Sequence, residues 1–215
     1  MHEVLVTDIE TVKDETIDAG LLAELNEAAM GKRGADAEKI AAGLALSPMT
    51  GKICCVGWRH GDYAAGATKI EWRGGASTLV SKDEKTVLTK IADLFEATSQ
   101  LTTFVTFNGK PFDMPFIKVR CAIQGIPLQY KIRDSKYDLG SHFDIRSALT
   151  NFDQYGKGTL PQWAARFGIE VKYPDLDGSM TQRFYDLDEL PQIALHCESD
   201  ILITSQLFER TFRYF

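Results

Sequence analysis

The sequence predicts an α/β domain, a mixed central sheet flanked by helices, on three observations. The apolar run Val4, Leu5, Val6 opens the chain as a strand. Further strand-like runs at 52–60 and 63–72 are followed by a strand and helix alternation from residue 83 onward. A long amphipathic segment, roughly Leu187 to Thr211, carries Ile193, Cys197, Ile201, Leu202 and Phe208 as an apolar stripe.

Taken in order, the strands near 3–7, 52–60 and 63–72 make a first antiparallel meander. A helix near 83–98 and a buried strand at 101–107 follow, then an Asn108-Gly109 turn. Pro115 suits the first position of a helix running to Gln124, which places Asp113 just ahead of it, where a carboxylate can cap the free backbone N–H groups. A strand near 137–140 and helices at 143–150, 159–168 and 187–211 complete the chain. Between the first two strands, Leu21, Leu22, Leu25 and Ala28 fit one amphipathic helix and Ile40, Ala41 and Leu44 another. The segment MGKRGAD breaks them apart. We read 17–46 as a helical insertion within one domain, 1–215, that either roofs a groove or, the reading we favour, packs on the outside.

Composition fits that organisation. A chain of 215 residues with 44% hydrophobic and 25% charged side chains can bury one sizeable core. It holds no run long enough to span a membrane and enters a strand almost at once, so the expectation is a cytoplasmic protein. Cys54, Cys55, Cys121 and Cys197 form no CxxC pair and sit in apolar settings, which reads as buried free thiols. The net charge of −6 is unevenly spread. Residues 1–50 hold 4 basic and 10 acidic side chains, whereas residues 108–172 hold 10 and 6. The basic stretch includes Lys110, Lys118, Arg120, Lys131, Arg133, Lys136, Arg146, Lys157 and Arg166; most suit a solvated face, and some could meet phosphates.

Four acids in three separated clusters carry the chemistry. Asp8 and Glu10 in VTDIET lie two apart, so an extended strand points both the same way. Two buried carboxylates side by side resist joint ionisation unless a cation or strong donors compensate them. Hard ions such as Mg2+ or Mn2+ meet that need through oxygen ligands. Asp113 lies in FNGKPFDMPF, and His196 and Asp200, four apart in HCESD, share one helix face. His142 and Asp144 in SHFDIRSAL form another polar pair, read as structural.

With these motifs in this order, the chain resembles the DEDD exonuclease superfamily, whose members have a ribonuclease H-like fold. The likeness is to the proofreading exonuclease domain of family B DNA polymerases and to predicted stand-alone bacterial relatives of it. DIET looks like the first exonuclease motif, and NGKPFDMPF like the second, Asn-x-x-x-Phe-Asp-x-Pro. HCESD looks like the third. The likeness extends over nearly the whole chain. It implies a metal-dependent 3'-5' exonuclease using two divalent ions, Mg2+ or Mn2+, held by Asp8, Glu10, Asp113 and Asp200, with His196 beside the attacking water. Asn108 and Phe112 become candidate substrate contacts. The implied product is a nucleoside 5'-monophosphate.

The third motif departs from the pattern. The polymerase-like branch places Tyr with three residues before the final Asp, and the other branch places His with four between. His196 stands at the tyrosine spacing. An imidazole accepts a proton near neutral pH far better than a phenol of pKa about 10, so the expectation is that His196 orients or deprotonates the water. The substrate expected is single-stranded DNA, with RNA as the nearest alternative and a binding module with a relict site as the other class. Phe107, Phe112, Tyr155, Trp163 and Tyr173 are candidate base-stacking residues, although aromatics are more often core.

Overall fold

A computed structural model of the chain describes residues 1–31, 36–99, 101–129 and 135–215. The break between the two insertion helices, and Lys131 and Arg133 of the basic stretch, fall wholly or partly outside these residues.

The described residues form a mixed sheet of six strands. Strand β1 (His2–Lys13) lies at its centre, with β2 (Gly51–Tyr63) antiparallel on one side and β5 (Thr102–Thr106) parallel on the other. Two short strands, β3 (Glu71–Trp72) and β4 (Ser77–Val80), pair with β2, and β6 (His142–Asp144) extends the sheet parallel to β5.

Helices cover both faces, and the two-residue alternation of β1 decides what each face receives. Leu5 and Ile9 point into a core with α3 (Glu84–Glu96) and α4 (Asp113–Gln124). Val4 and Val6 point into a second core built with α6 (Leu160–Arg166) and α8 (Leu190–Thr211). Val12 continues the α8 side, packing with Cys197 and with Phe184 and Tyr185 of α7 (Thr181–Asp186). Asp8 and Glu10 lie between Val6 and Val12 on that same face, so strand periodicity alone aims them at α8. Gly57, opposite Asp8 on β2, allows the close approach: a Cβ there would come within 2.7 Å of Cys197 Sγ and of Ile201.

The expected order of elements holds, with local corrections. The strand placed at 63–72 is a turn after Tyr63 followed by the short β3, with Gly66 in left-handed backbone; β4 went unforeseen. The strand near 137–140 lies instead at His142–Asp144, and the helix expected at 143–150 is α5 (Ile145–Leu149), capped by Asp144. The last helix begins at Leu190, because residues 187–189 form the turn that ends α7, with Asp188 in left-handed backbone. Residues 17–46 contain α1 (Ala19–Met30) and α2 (Ala37–Gly43), neither of which buries a side chain. Among the described residues no helix is long and apolar enough to cross a membrane. All four cysteines are free and buried.

Candidate active site

The parallel pairing of β1 with β5 runs from Glu3 to Val6 and stops there. Beyond it β1 continues, so Asp8 and Glu10 sit past the end of β5, beside the turn that leads from β5 into α4. Asp113 is the first residue of that helix. The expectation that it precedes and caps the helix is corrected: Phe112 takes the cap position, and no side chain caps this end. Pro115 is tolerated inside the first turn, where its missing N–H has no helical partner to lose, so the helix starts two residues earlier than the proline suggests.

Asp113 is buried, and its Oδ2 atom has no hydrogen-bond partner. An orphaned carboxylate oxygen in the interior is costly. Burial, reinforced by the charge of Asp144, pushes the Asp113 carboxyl up to about 8. Asp144, itself fully buried, accepts hydrogen bonds from the backbone N–H of Asn108 at 3.3 Å, of Lys110 at 3.0 Å and of Ser147 at 2.9 Å. It therefore fixes the Asn108–Asp113 turn to the start of α5. His142 Nε2 lies 2.8 Å from the Thr106 hydroxyl. The two residues thus act through separate partners, His142 on β5 and Asp144 on the turn that carries Asp113.

The third cluster arrives from α8. His196 Nε2 lies 3.4 Å from a Glu10 oxygen and 3.7 Å from Asp200 Oδ2. One potential ligand atom from each of Glu10, His196 and Asp200 lies within 4.8 Å of the others, and the same holds for Asp8, Glu10 and Cys197. Asp113 completes neither group, but its charge acts on Asp8. Burial and then Asp113 hold the Asp8 carboxyl well above the ordinary range. Burial followed by the charges of Asp8 and Asp200 does the same to Glu10. Asp200 is pushed up to about 7 by burial and by Asp8, with His196 opposing. Four mutually repelling acids, one with an unpartnered oxygen, are an oxygen-rich donor set suited to a hard divalent cation.

Three further groups complete this environment. The Thr181 hydroxyl donates to Glu10 Oε2 at 3.1 Å from the α7 segment the sequence reading missed. A short polar helix leaves little periodic signal, and the contact spans most of the chain. Cys197 Sγ lies 3.9 Å from Asp8 Oδ2. Asp177 lines a cavity of about 400 Å³ together with Tyr173, His196 and Asp200. The candidate substrate contacts differ from one another. Asn108, in left-handed backbone, has its side-chain oxygen held by Arg146 at 2.6 Å. Phe112 is half-buried against Phe116, with ring centroids 5.6 Å apart.

The fold is shared with solved structures. A family B DNA polymerase from the archaeon Pyrobaculum calidifontis matches 99% of the chain at a TM-score of 0.63 and 17% identity, over 25% of its own length. A structure of exonuclease I matches 99% at 0.52 and 12% identity, over 42% of its length. E. coli exonuclease I in complex with a dT13 oligonucleotide matches 100% at 0.53 and 11% identity, over 43% of its length. The chain thus spans a quarter to under half of these proteins. No curated protein matches the sequence. Residues 53–214 match the model of one family, a span holding Asp113, His196 and Asp200 but beginning after Asp8 and Glu10. By that match the chain belongs to the family of predicted 3'-5' exonucleases related to the exonuclease domain of PolB.

Proposed function

We propose that the protein is a metal-dependent 3'-5' exonuclease that releases nucleoside 5'-monophosphates from single-stranded DNA. The observation that carries the reading is the gathering of acids from β1 and α8 within ligand distance of one another, with Asp113 of α4, its Oδ2 unpartnered in the interior, close enough for its charge to act on Asp8. Family membership supports a nuclease, and an exonuclease I structure with a bound dT13 oligonucleotide shares the fold, which favours a single strand.

Asp8, Glu10, Asp113 and Asp200 would hold the divalent ions. Bound there, two such ions would supply acidification of water and stabilisation of the charge that develops in phosphodiester hydrolysis. The protein's own groups do the rest. Thr181 holds Glu10 by one oxygen, leaving the other facing His196. His196 Nε2, between Glu10 and Asp200, is placed to accept a proton from water as its oxygen bonds to the terminal phosphorus. The bond to the upstream 3'-oxygen breaks, leaving the phosphate on the released nucleotide's 5' side, and that oxygen takes up a proton from solvent as the new 3'-hydroxyl of the shortened strand. Asp144 keeps the Asp113 turn fixed through the Asn108 and Lys110 amides. No covalent intermediate with the enzyme is needed.

The test is digestion of matched 5'-labelled single-stranded DNA and RNA with Mg2+ or Mn2+, with EDTA and Asp8→Ala controls. A ladder shortening from the 3' end only in the active, metal-containing samples is expected, with DNA the faster. Cleavage of neither polymer, or cleavage that survives Asp8→Ala, overturns the reading.

A further inference from the structure

Beside the turn that delivers Asp113 lies a loop held in an unfavourable conformation. Asn151, Phe152 and Asp153 are consecutive, none is glycine, and all have left-handed backbone, with φ of 47°, 57° and 68°. A bulky ring residue there is an outlier that persists only when its surroundings impose it, and such strain clusters at functional sites. The surroundings do impose it. The Phe152 N–H donates to Ser147 O at 2.8 Å and the Tyr155 N–H to Thr150 O at 3.0 Å. The Asp153 N–H donates to the Thr150 hydroxyl at 3.0 Å. Arg146 then clamps the loop to the active-site turn, reaching Asp153 at 2.9 Å and Asn108 at 2.6 Å.

The loop presents aromatic rings. Phe152 meets Tyr137 edge-on with centroids 4.9 Å apart. The segment bearing Tyr137 is tied back to the same turn, because Lys110 Nζ donates to the carbonyls of Ser135 and Asp138. Tyr137 and Tyr155 nevertheless stand in solvent, 68% and 79% exposed, so burial does not explain them. Lys136 Nζ lies 5.5 Å from the centre of the Tyr137 ring, and Lys157 is exposed close by in sequence. Lys110 is engaged with the Ser135 and Asp138 carbonyls and Arg146 with Asn108 and Asp153, whereas Lys136 and Lys157 both stand exposed.

We propose that Tyr137 and Tyr155 are a stacking platform for unpaired bases of the polynucleotide whose 3' end occupies the carboxylate cluster, with Lys136 and Lys157 meeting its phosphates. The proposal rests on the exonuclease reading of that cluster. Ring faces are hidden in a duplex, so the platform selects a single strand. Stacking tolerates any base, as an enzyme removing successive nucleotides requires. A loop locked before binding loses little freedom on engaging the strand.

Two measurements test this. The first is binding of fluorescein-labelled oligothymidylate and oligouridylate of about twelve nucleotides, with Ca2+ replacing Mg2+, to the wild type and to Tyr137→Ala, Tyr155→Ala and Tyr155→Phe. The second is hydrolysis of the oligomers and of the p-nitrophenyl ester of thymidine 5'-monophosphate, which has no upstream strand. Each Ala variant is expected to weaken oligomer binding about tenfold and raise the oligomer KM with kcat retained. Tyr155→Phe is expected to bind as the wild type does, and all variants to hydrolyse the ester at the wild-type rate. Ala variants with wild-type affinity and KM overturn the platform, while oligomer digestion by the wild type leaves the exonuclease reading intact. If the wild type hydrolyses nothing but the Ala variants still lose affinity, the exonuclease reading falls and the platform stands as a binding surface. A wild type that neither binds nor hydrolyses the oligomers overturns both.

Discussion

The protein holds two clusters of acids, one between α3 and α4 and one facing α8 in which Asp8 and Asp200 are half-buried, and they differ in what answers the charge. On the α3 and α4 side, Arg120, only 2% exposed, reaches both oxygens of Glu84 at 2.9 and 2.6 Å and Asp14 at 2.7 Å. The Ile53 N–H and the Gln124 amide also donate to Glu84, and Arg120 spends a further N–H on the Pro48 carbonyl. On the α8 side, four carboxylates share one imidazole, a threonine hydroxyl and a thiol, and Asp113 Oδ2 has nothing. The titration behaviour follows. Burial works to raise Asp14, but Thr16 and Arg120 hold it below its usual value, whereas Asp8, Glu10, Asp113 and Asp200 are all pushed up. A satisfied buried ion cluster ties elements together. An unsatisfied one either takes up protons, as these raised carboxyls do, or is answered by a cation from elsewhere.

The comparison breaks most sharply on substitution. Asp113→Asn removes one of the repelling charges, so the metal-free protein is expected to melt no lower than the wild type. Hydrolysis is expected to fall at least about a hundredfold, since charge stabilisation of the reacting phosphate is lost. Arg120→Met should do the reverse. Leaving Glu84 and Asp14 buried without their cation costs about 3–5 kcal/mol, which for a chain of this size lowers the melting temperature by roughly ten degrees, whether or not divalent ions are present. Calorimetry on both variants with and without Mg2+, together with nuclease rates, separates the two. Equal losses of stability would mean that the clusters are not different in kind.

How far each cluster was readable follows from the range of its interactions. Asp8 and Glu10 declare themselves through strand alternation after Val4 to Val6, and His196 and Asp200 through helical spacing; both are local patterns. Asp113 was readable as an acid between a strand and a helix, but its missing partner was not, because hydrogen-bond bookkeeping exists only in three dimensions. The Arg120 cluster gave no signal: Asp14, Glu84 and Arg120 lie on β1's end, α3 and α4, and each alone reads as a surface charge. Thr181 escaped for the same reason, with the added difficulty of a six-residue helix. Short strands were missed where the pairing partner, β2, imposes a structure that four residues such as Ser77–Val80 do not specify.

Within the unsatisfied cluster, His196 differs from the acids it touches, and its replacement sharpens what the imidazole contributes. A group that takes a proton during the reaction is worth about 10²–10⁴ in rate. His196→Gln keeps a polar side chain beside Glu10 and Asp200 but cannot carry the proton. We expect kcat to fall about a hundredfold, the low-pH limb of the rate profile to change shape, and divalent ions to raise the melting temperature as in the wild type. An unchanged rate and profile would leave His196 no part beyond packing; a lost rate with an unchanged profile would mean that it positions the water without accepting the proton.

The smallest effect is also the most direct reading of the two clusters, because they respond to pH in opposite windows. Asp14 has a folded-state pKa below its unfolded value of 3.8, so its stabilising contribution is present above that value and disappears only as acid takes the pH below it. Asp113 and Asp200, with folded values of about 8 and about 7 against an unfolded 3.8, behave the other way. The folded protein binds their protons more tightly than the unfolded chain does, so stability is greatest at low pH and is lost as pH rises through 7 and 8. From about pH 6 to about 8.5 ordinary carboxylates are already ionised and the Arg120 cluster adds no slope. The melting temperature of the protein in EDTA should therefore fall across that window. Asp113→Asn should flatten the fall, and saturating Mg2+ or Mn2+ should abolish it, because the cation stabilises the ionised carboxylates in the folded state. Melting curves at several pH values decide the matter: a slope that is absent in EDTA, or that persists unchanged with the ions, would mean that the charges of Asp113 and Asp200 are answered by some other group.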